Sequence, residues 1–366
     1  MKLLMISGDR SVAVGKQGAF SQTLSELSKY FERIDVVCPA SSDRGEKKIS
    51  ENVFVHSSSH SLWYQPFFIL QKGRELFHVH HHTVMTVHEY PPFYNGIGAR
   101  LLKRRISIPA ALEIHHIVGW PKASSLREWI GCILSRLLLR FHTKHFEAVR
   151  VVNGTVKAQM IAWGVPAEKI SVVPSVYLDH RLIESAKNQQ KKFDLVFAAR
   201  LADNKGLLQT IEAVALLPHA TLLVIGDGPL RKQAEKLVCS LGISSRVIFA
   251  GWLPTARDVL ASIASGRLFI MNSKSEGNPR VAIEAMALGV PVLATRVGIM
   301  PDVIEDSANG VFTNGTAAGI AQKAQALLAD DVKRASMGTE AAKIAGRFEK
   351  KAAIKVYADF LQSLAH

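Results

Sequence analysis

The amino-acid sequence predicts an α/β protein of two Rossmann-like domains facing each other across a cleft. Three observations lead there. Short apolar runs of strand length alternate with longer helical patterns, as in parallel sheets covered on both faces. The alternation runs through the chain twice, broken by a stretch rich in Lys, Gln and Asn at residues 185–192 that reads as a linker. A length of 366 residues exceeds one ordinary core and suits two.

In the first series, strands are expected at residues 2–7, 34–38, 53–56, 110–115, 149–152 and 170–173, with helices such as 18–31 and 126–145 between them. In the second, strands at 194–199, 221–225, 246–250, 268–271 and 290–295 alternate with helices at 206–217, 229–241 and 279–288. At the end, Phe348, Ala352, Val356, Phe360 and Leu364 share one helical stripe. That amphipathic helix either closes the second domain or crosses back to the first. The domains are therefore drawn at 1–178 and 190–345, with a terminal helix at 346–366.

Hydrophobic residues make up 48% of the chain and charged residues 21%, the balance of a soluble globular protein. No apolar run is long enough to span a bilayer. The run after Lys2 is too short for a signal-peptide core and reads as the first strand of a cytoplasmic protein. Cys38, Cys132 and Cys239 are few and far apart, which fits a reducing compartment. The net charge is +14, and residues 100–150 hold ten Lys and Arg against three Glu. Such a bias suits either a polyanionic partner or membrane surface, or a solvated basic face. No nucleic-acid-binding module accompanies it, and no nucleic acid is expected as a partner.

Ligands of open parallel sheets bind at the carboxyl ends of strands. One such end carries Arg200 and Lys205 on a loop that runs into a helix near Gly206. Two cations beside a helix N-terminus suit a diphosphate, although surface polarity alone could also place them there. A second carries Glu276, Gly277, Asn278 and Pro279, then an apolar helix containing Glu284 and ending at Gly289. Asn278 is a good N-cap, Pro279 a natural first helical residue and Gly289 a natural stop. Among Val281, Ile283, Ala285 and Met286 a carboxylate is costly without hydrogen-bond partners, which ribose hydroxyls would supply. The helical rise separates the two Glu by on the order of 10 Å, a ribose-to-hexose spacing. A solvent-facing Glu284 is the plainer alternative. The turn Gly226-Asp227-Gly228 ends another strand, but a lone Gly-x-Gly is more often a turn than a phosphate loop.

Other readings carry less. On a strand, His78, His80 and His82 would share one face, a spacing that can bind zinc. No cysteine joins them or the nearby His81 and His88, so acceptor contacts or loop polarity are preferred and no metal is expected. A dehydrogenase reading fails because Ser7-Gly8-Asp9 does not open a Gly-x-Gly-x-x-Gly turn.

Taken together, these residues resemble the retaining glycosyltransferases of family 4, which have the two-domain GT-B fold. Glu276 and Glu284 match the family's Glu-x7-Glu motif, and Ala285-Met286-Ala287-Leu288-Gly289-Val290-Pro291-Val292 continues it. Arg200 and Lys205 fall on the donor-diphosphate cations, Gly18 on the glycine loop that approaches the diphosphate, and His115 on the active-site histidine near the sugar. The chain departs from the pattern at Pro174-Ser175-Val176 and at Gly277-Asn278-Pro279, where Pro-Asn-Gly and Gly-Phe-Gly are common.

The resemblance implies a first domain that binds the acceptor and a second that binds the donor. It implies transfer of a hexose or hexosamine, with retention and without a metal or other cofactor. Glu276, His115, Arg200 and Lys205 would act at the reacting centre, and Gly18, Gly277, Asn278, Pro279 and Glu284 would join them in holding the donor. The donor would be a nucleotide-sugar, with UDP the base expected on family frequency. The acceptor would be a glycan or a lipid-linked molecule, in cell-surface polysaccharide, lipopolysaccharide or glycolipid synthesis. A catalytically inactive nucleotide-sugar-binding regulator would share every donor residue and is the alternative. Residues 126–145 also combine Trp129, Ile130, Ile133, Leu134, Leu137, Leu138 and Phe141 with Arg127, Arg136, Arg140 and Lys144, downstream of Lys103-Arg104-Arg105. Either that helix packs into the first domain, or it docks on an anionic membrane and makes the protein peripheral to the membrane's inner face.

Overall fold

All the runs expected as strands form strands, and Gly45–Ser50, Val84–His88 and Gly310–Phe312 join them. The computed structural model describes residues 1–16, 18–40 and 45–365, in two units.

The first unit comprises Met1–Val118, Arg127–Ser175 and Lys351–His366. Its strands are β1 (Lys2–Ile6), β2 (Arg33–Cys38), β3 (Gly45–Ser50), β4 (Val53–Ser57), β5 (Val84–His88), β6 (Ala110–Ile114), β7 (Ala148–Val151) and β8 (Ile170–Val172). They lie in the order β3-β4-β2-β1-β5-β6-β7-β8. Neighbours are parallel except β3, which runs antiparallel on β4 at the edge. The order turns at β1 and β5, paired in register from Leu3↔Val84 to Ile6↔Val87.

The second unit comprises Gly119–Leu126 and Val176–Lys350. Its strands are β9 (Phe193–Ala198), β10 (Leu222–Ile225), β11 (Val247–Gly251), β12 (Gly266–Met271), β13 (Val292–Ala294) and β14 (Gly310–Phe312). All neighbours are parallel, in the order β11-β10-β9-β12-β13-β14. Renumbered from β9, this is 3-2-1-4-5-6, the doubly wound order, with its switch point between β9 and β12. Alternation along β9 sends Val196 and Ala198 into one apolar layer and Leu195 and Phe197 into the other, so both faces are covered.

Four expectations need correction. The polar stretch 185–192 is not the crossing between units, which falls at Ser175/Val176. Helix His180–Ala186 already belongs to the second unit, because Ile183 and Ala186 are buried in its core. Residues 119–126 also leave the first unit, and Pro121 and Lys122 line a cavity of the second. The terminal helix, Lys350–Ser363, returns to the first unit on a different stripe from the one expected: Ile354, Tyr357, Ala358 and Leu361 are buried and Val356 is exposed. Several apolar residues lie around this helix, and the buried side is the one that carries Ile354, Ala358 and Leu361 together with Tyr357, whose hydroxyl donates to Glu113.

The fourth correction concerns the histidines. His78 and His80 lie on helix Gln65–His80, and His81 closes it in the left-handed region at φ 52°. His82 is buried, with Nε2 2.8 Å from Asp35 Oδ2, while His56 Nε2 takes Asp35 Oδ1 at 2.8 Å and Arg33 reaches both oxygens. That cluster ties β2 to β4 as part of the core. Among the described residues, no group of three or more His, Cys, Asp or Glu is placed to hold a metal ion.

Candidate functional site

In the second unit, the loop after β9 and the loop after β12 meet at the switch point. They line a cavity of about 380 Å³ that brings together Arg200, Lys205, Ser273, Glu276, Asn278 and Pro279, with Arg280 beside them. Backbone geometry dictates the meeting. Gly206 sits at φ 68°, and a Cβ there would lie 2.1 Å from the Asn272 carbonyl oxygen. Only glycine allows that approach. Asn272 fastens it, donating from Nδ2 to the Gly206 carbonyl at 3.2 Å.

The Gly-x-Gly turn has a supporting role. Gly226, at φ 117°, passes so close to Ala199 that a Cβ would sit 2.1 Å from its carbonyl oxygen. Ala199 N donates to Ile225 O at 3.1 Å and Leu201 N to Asp227 O at 2.9 Å. The turn therefore props the loop that carries Arg200. Gly277 is held from the other side, its carbonyl accepting from Ile299 N at 2.9 Å.

Lys205 Nζ donates to Glu276 Oε1, and Ser273 Oγ donates to the same oxygen at 2.8 Å. Cation and carboxylate from the two motifs are thus in direct contact. The following helix is Arg280–Ala287, one residue shorter at its start than expected. Its cap position falls on Pro279, at ψ 89° with no side-chain cap, rather than on Asn278. Asn278 precedes a proline, which disfavours helical backbone there. Gly289 does stop the chain, at φ 73°.

Glu284 is not on the solvent side. It is 9% exposed, and Arg280 Nε donates to its Oε1 at 2.8 Å. Burial raises its carboxyl pKa, an effect Arg280 only partly offsets. Glu284 is not among the residues that line the cavity, but its partner Arg280 is, and a carboxylate bonded to one arginine keeps lone pairs that can accept from a ligand's hydroxyls.

The remaining site residues lie in the first unit. Gly18 precedes helix Ala19–Leu27, with extended backbone, and a Cβ there would meet no atom within 4 Å. The fold itself does not require glycine at that position. His115 follows β6 and is half-buried. Its Nε2 lies 2.9 Å from Glu113 Oε2, and its ring stacks on His88 at 4.1 Å. Burial pushes His88 down to about 3, so His88 is a neutral ring.

Sequence reasoning missed Arg280, Ser273 and the surroundings of His115. The i,i+4 spacing of Arg280 and Glu284 was a usable signal, since such pairs meet on a helix. The contacts of Glu113 left none, because its partners Thr86, Arg150 and Tyr357 are scattered along the chain.

Comparison with known proteins agrees with this geometry. Residues 180–344 match the family model "Glycosyl transferases group 1", and residues 20–175 match "Glycosyl transferase 4-like domain". The lipopolysaccharide core biosynthesis glycosyltransferase LpsE of Rhizobium meliloti is 36% identical over 168 residues, covering 45% of this chain and 48% of that protein. The chain spans about half the length of the first curated relatives it matches. Sucrose-phosphate synthase of Thermosynechococcus elongatus superposes with a TM-score of 0.81 at 17% identity, over 99% of this chain and 98% of that one. Anabaena HepE, solved in complex with UDP and glucose, superposes with a TM-score of 0.74 at 21% identity, over 99% and 100% of the two chains. With both halves matched by the two models and each unit doubly wound, the chain belongs to the group 1, family 4 glycosyltransferases of GT-B fold.

Proposed function

We propose that the chain transfers a hexose or hexosamine, with retention of configuration, from a nucleotide-sugar held by the second unit. One observation carries this reading: Arg200, Lys205 and Glu276 line a single cavity at the switch point of the second sheet, with Glu284 buried one turn past Arg280. Arg200 and Lys205 would balance the leaving diphosphate as charge develops on it, in the role a metal ion fills elsewhere. Glu276 would orient the hexose and Glu284 the ribose. Gly277, Asn278 and Pro279 would line the sugar end, Gly18 would leave room beside the diphosphate, and His115 would position the sugar. In the reacting step the bond from the anomeric carbon to the diphosphate breaks, an acceptor oxygen bonds to the same face, and its proton passes to a diphosphate oxygen.

UDP is the favoured base, because the HepE structure holds UDP and glucose on a similar fold. A glycan or lipid-linked acceptor, in lipopolysaccharide or related polysaccharide synthesis, is supported by the match to LpsE. Peripheral docking on an anionic membrane is supported by the outward apolar side of helix Leu126–His142, where Trp129 is 55% and Leu137 63% exposed. No described helix is long and apolar enough to cross a membrane.

The test is to incubate the full chain in EDTA with a panel of nucleotide-sugars and a bacterial lipid extract, followed by mass spectrometry. One donor is expected to be consumed while an acceptor gains one sugar. Binding without turnover, or hydrolysis alone, would favour the regulator. Activity that appears only when Mg²⁺ or Mn²⁺ replaces EDTA would refute the metal-free reading.

A further inference from the structure

We propose that Glu113 is the positioning residue of His115, fixing its proton on Nε2, and that Tyr357 of the returning terminal helix completes the support. The proposal rests on the reading of His115 as the residue beside the sugar and says how it is held.

Glu113 and His115 are two residues apart at the end of β6. The carboxylate is buried and meets four polar groups, all from the first unit; three of them, Arg150, Thr86 and Tyr357, donate to it. Arg150 Nη1 donates to Oε2 at 2.6 Å, and His115 Nε2 lies 2.9 Å from the same oxygen. Oε1 receives the Thr86 hydroxyl and, at 2.5 Å, the Tyr357 hydroxyl. Burial would raise this carboxyl's pKa, but Arg150, His115 and Thr86 outweigh it and hold the group well below the usual carboxylate range. An ionised carboxylate only accepts hydrogen bonds. The proton between Glu113 and His115 therefore belongs to Nε2, which leaves Nδ1 as the ring nitrogen for a ligand.

The rest of the cluster keeps that arrangement from drifting. His88 stacks on the His115 ring as a neutral platform. Arg150 also donates to the carbonyls of Val173 and Pro174, each at 3.1 Å, and its guanidinium lies 3.7 Å from the centre of the Tyr357 ring. A buried ion pair built only for stability needs Glu113 and Arg150. Holding a half-exposed histidine at a strand's carboxyl end exceeds that need and resembles the way a carboxylate sets a histidine's tautomer in other active sites.

The experiment uses the 366-residue chain with ¹⁵N-labelled histidine, and its main readout needs no substrate. Imidazole nitrogen resonances are recorded near neutral pH, and that of His115 is identified by its loss in His115→Asn. Glu113→Ala can fail to fold, because it strands Arg150 in the interior. The informative variant is therefore Glu113→Leu with Arg150→Met and Tyr357→Phe, which removes the pair and its phenol together. Thermal melting and the dispersion of the remaining histidine resonances, most of which lie in the first unit, confirm that it folds.

In the wild type, Nε2 is expected to carry the proton. In the triple variant that preference is expected to vanish. UDP release from UDP-glucose should also slow by about tenfold to a hundredfold, with KM changed by less than about twofold. A wild-type proton on Nδ1 alone, or an unchanged tautomer in the folded triple variant, would overturn the proposal. If His115→Asn keeps full turnover, the reading of His115 beside the sugar fails and the proposal falls with it. If His115→Asn loses turnover while the triple variant keeps it, only the proposal falls.

Discussion

Glu284 sits on the inner side of helix Arg280–Ala287, where burial raises its carboxyl pKa from the ordinary 4.5 more than Arg280 lowers it. With the folded pKa above the unfolded one, the neutral acid favours the fold; its contribution is complete below the ordinary value and is lost as pH rises through the raised one. Glu284→Gln, always neutral, should therefore melt above the wild type near neutral pH, and the gain should vanish in acid. If Glu284 holds the ribose as proposed, the same change should cost transfer activity about tenfold to a hundredfold, since a charge-assisted bond is worth about 1.5–3 kcal/mol. A lower melting temperature at neutral pH would mean that the Arg280 pair outweighs burial. Glu276, Glu284, Arg200 and Lys205 were legible in the sequence because each motif is a short contiguous run. Glu113 was not, because its meaning lies in Thr86, Arg150 and Tyr357, which only the fold assembles.

Helix Leu126–His142 is amphipathic in the inverse sense. Gly131, Ser135, Leu139 and His142 are buried, whereas Trp129, Ile130, Ile133, Leu134, Leu137 and Phe141 face outward. Small residues let the helix lie close to the unit, and His142 Nδ1, 2.9 Å from Glu89 Oε2, pins its end. The sequence marked the apolar residues but not the side they take, because large apolar groups ordinarily turn inward. An outward apolar row beside the exposed Arg136 and Arg140 matches an anionic bilayer in both polarity and charge. The expected outcome is co-sedimentation with vesicles containing phosphatidylglycerol, weakened by salt and absent with neutral lipid. Each basic residue contributes about 1 kcal/mol at such a surface, so Arg136→Ser with Arg140→Ser should weaken binding roughly thirtyfold. Protein that stays in the supernatant with anionic vesicles at low salt would rule the docking out. The terminal helix shows the same limit of pattern reading: its apolar residues permit more than one stripe, and the buried one carries Ile354, Ala358 and Leu361 beside the Tyr357–Glu113 hydrogen bond.

For the whole chain, the alternation of strands and helices was enough to give two parallel α/β units, because the connection a parallel pair requires is itself written in the sequence. Strand order was not written there. It could be inferred only afterwards, since the loops carrying Arg200 and Glu276 converge only if β9 adjoins β12. The borders between units were hidden too, because residues 119–126 and the terminal helix each join the unit opposite to their immediate chain neighbours. The two motifs lie far apart in sequence yet form one cavity, in which the proposed function seats a nucleoside diphosphate against Arg200 and Lys205. The direct measurement is calorimetric titration of UDP, in EDTA, into the wild type, Arg200→Ala and Glu284→Ala. The account predicts one site in the wild type, with affinity about tenfold to a hundredfold weaker in each variant and the fold unchanged. No UDP binding by the wild type, or wild-type affinity in both variants, would contradict it.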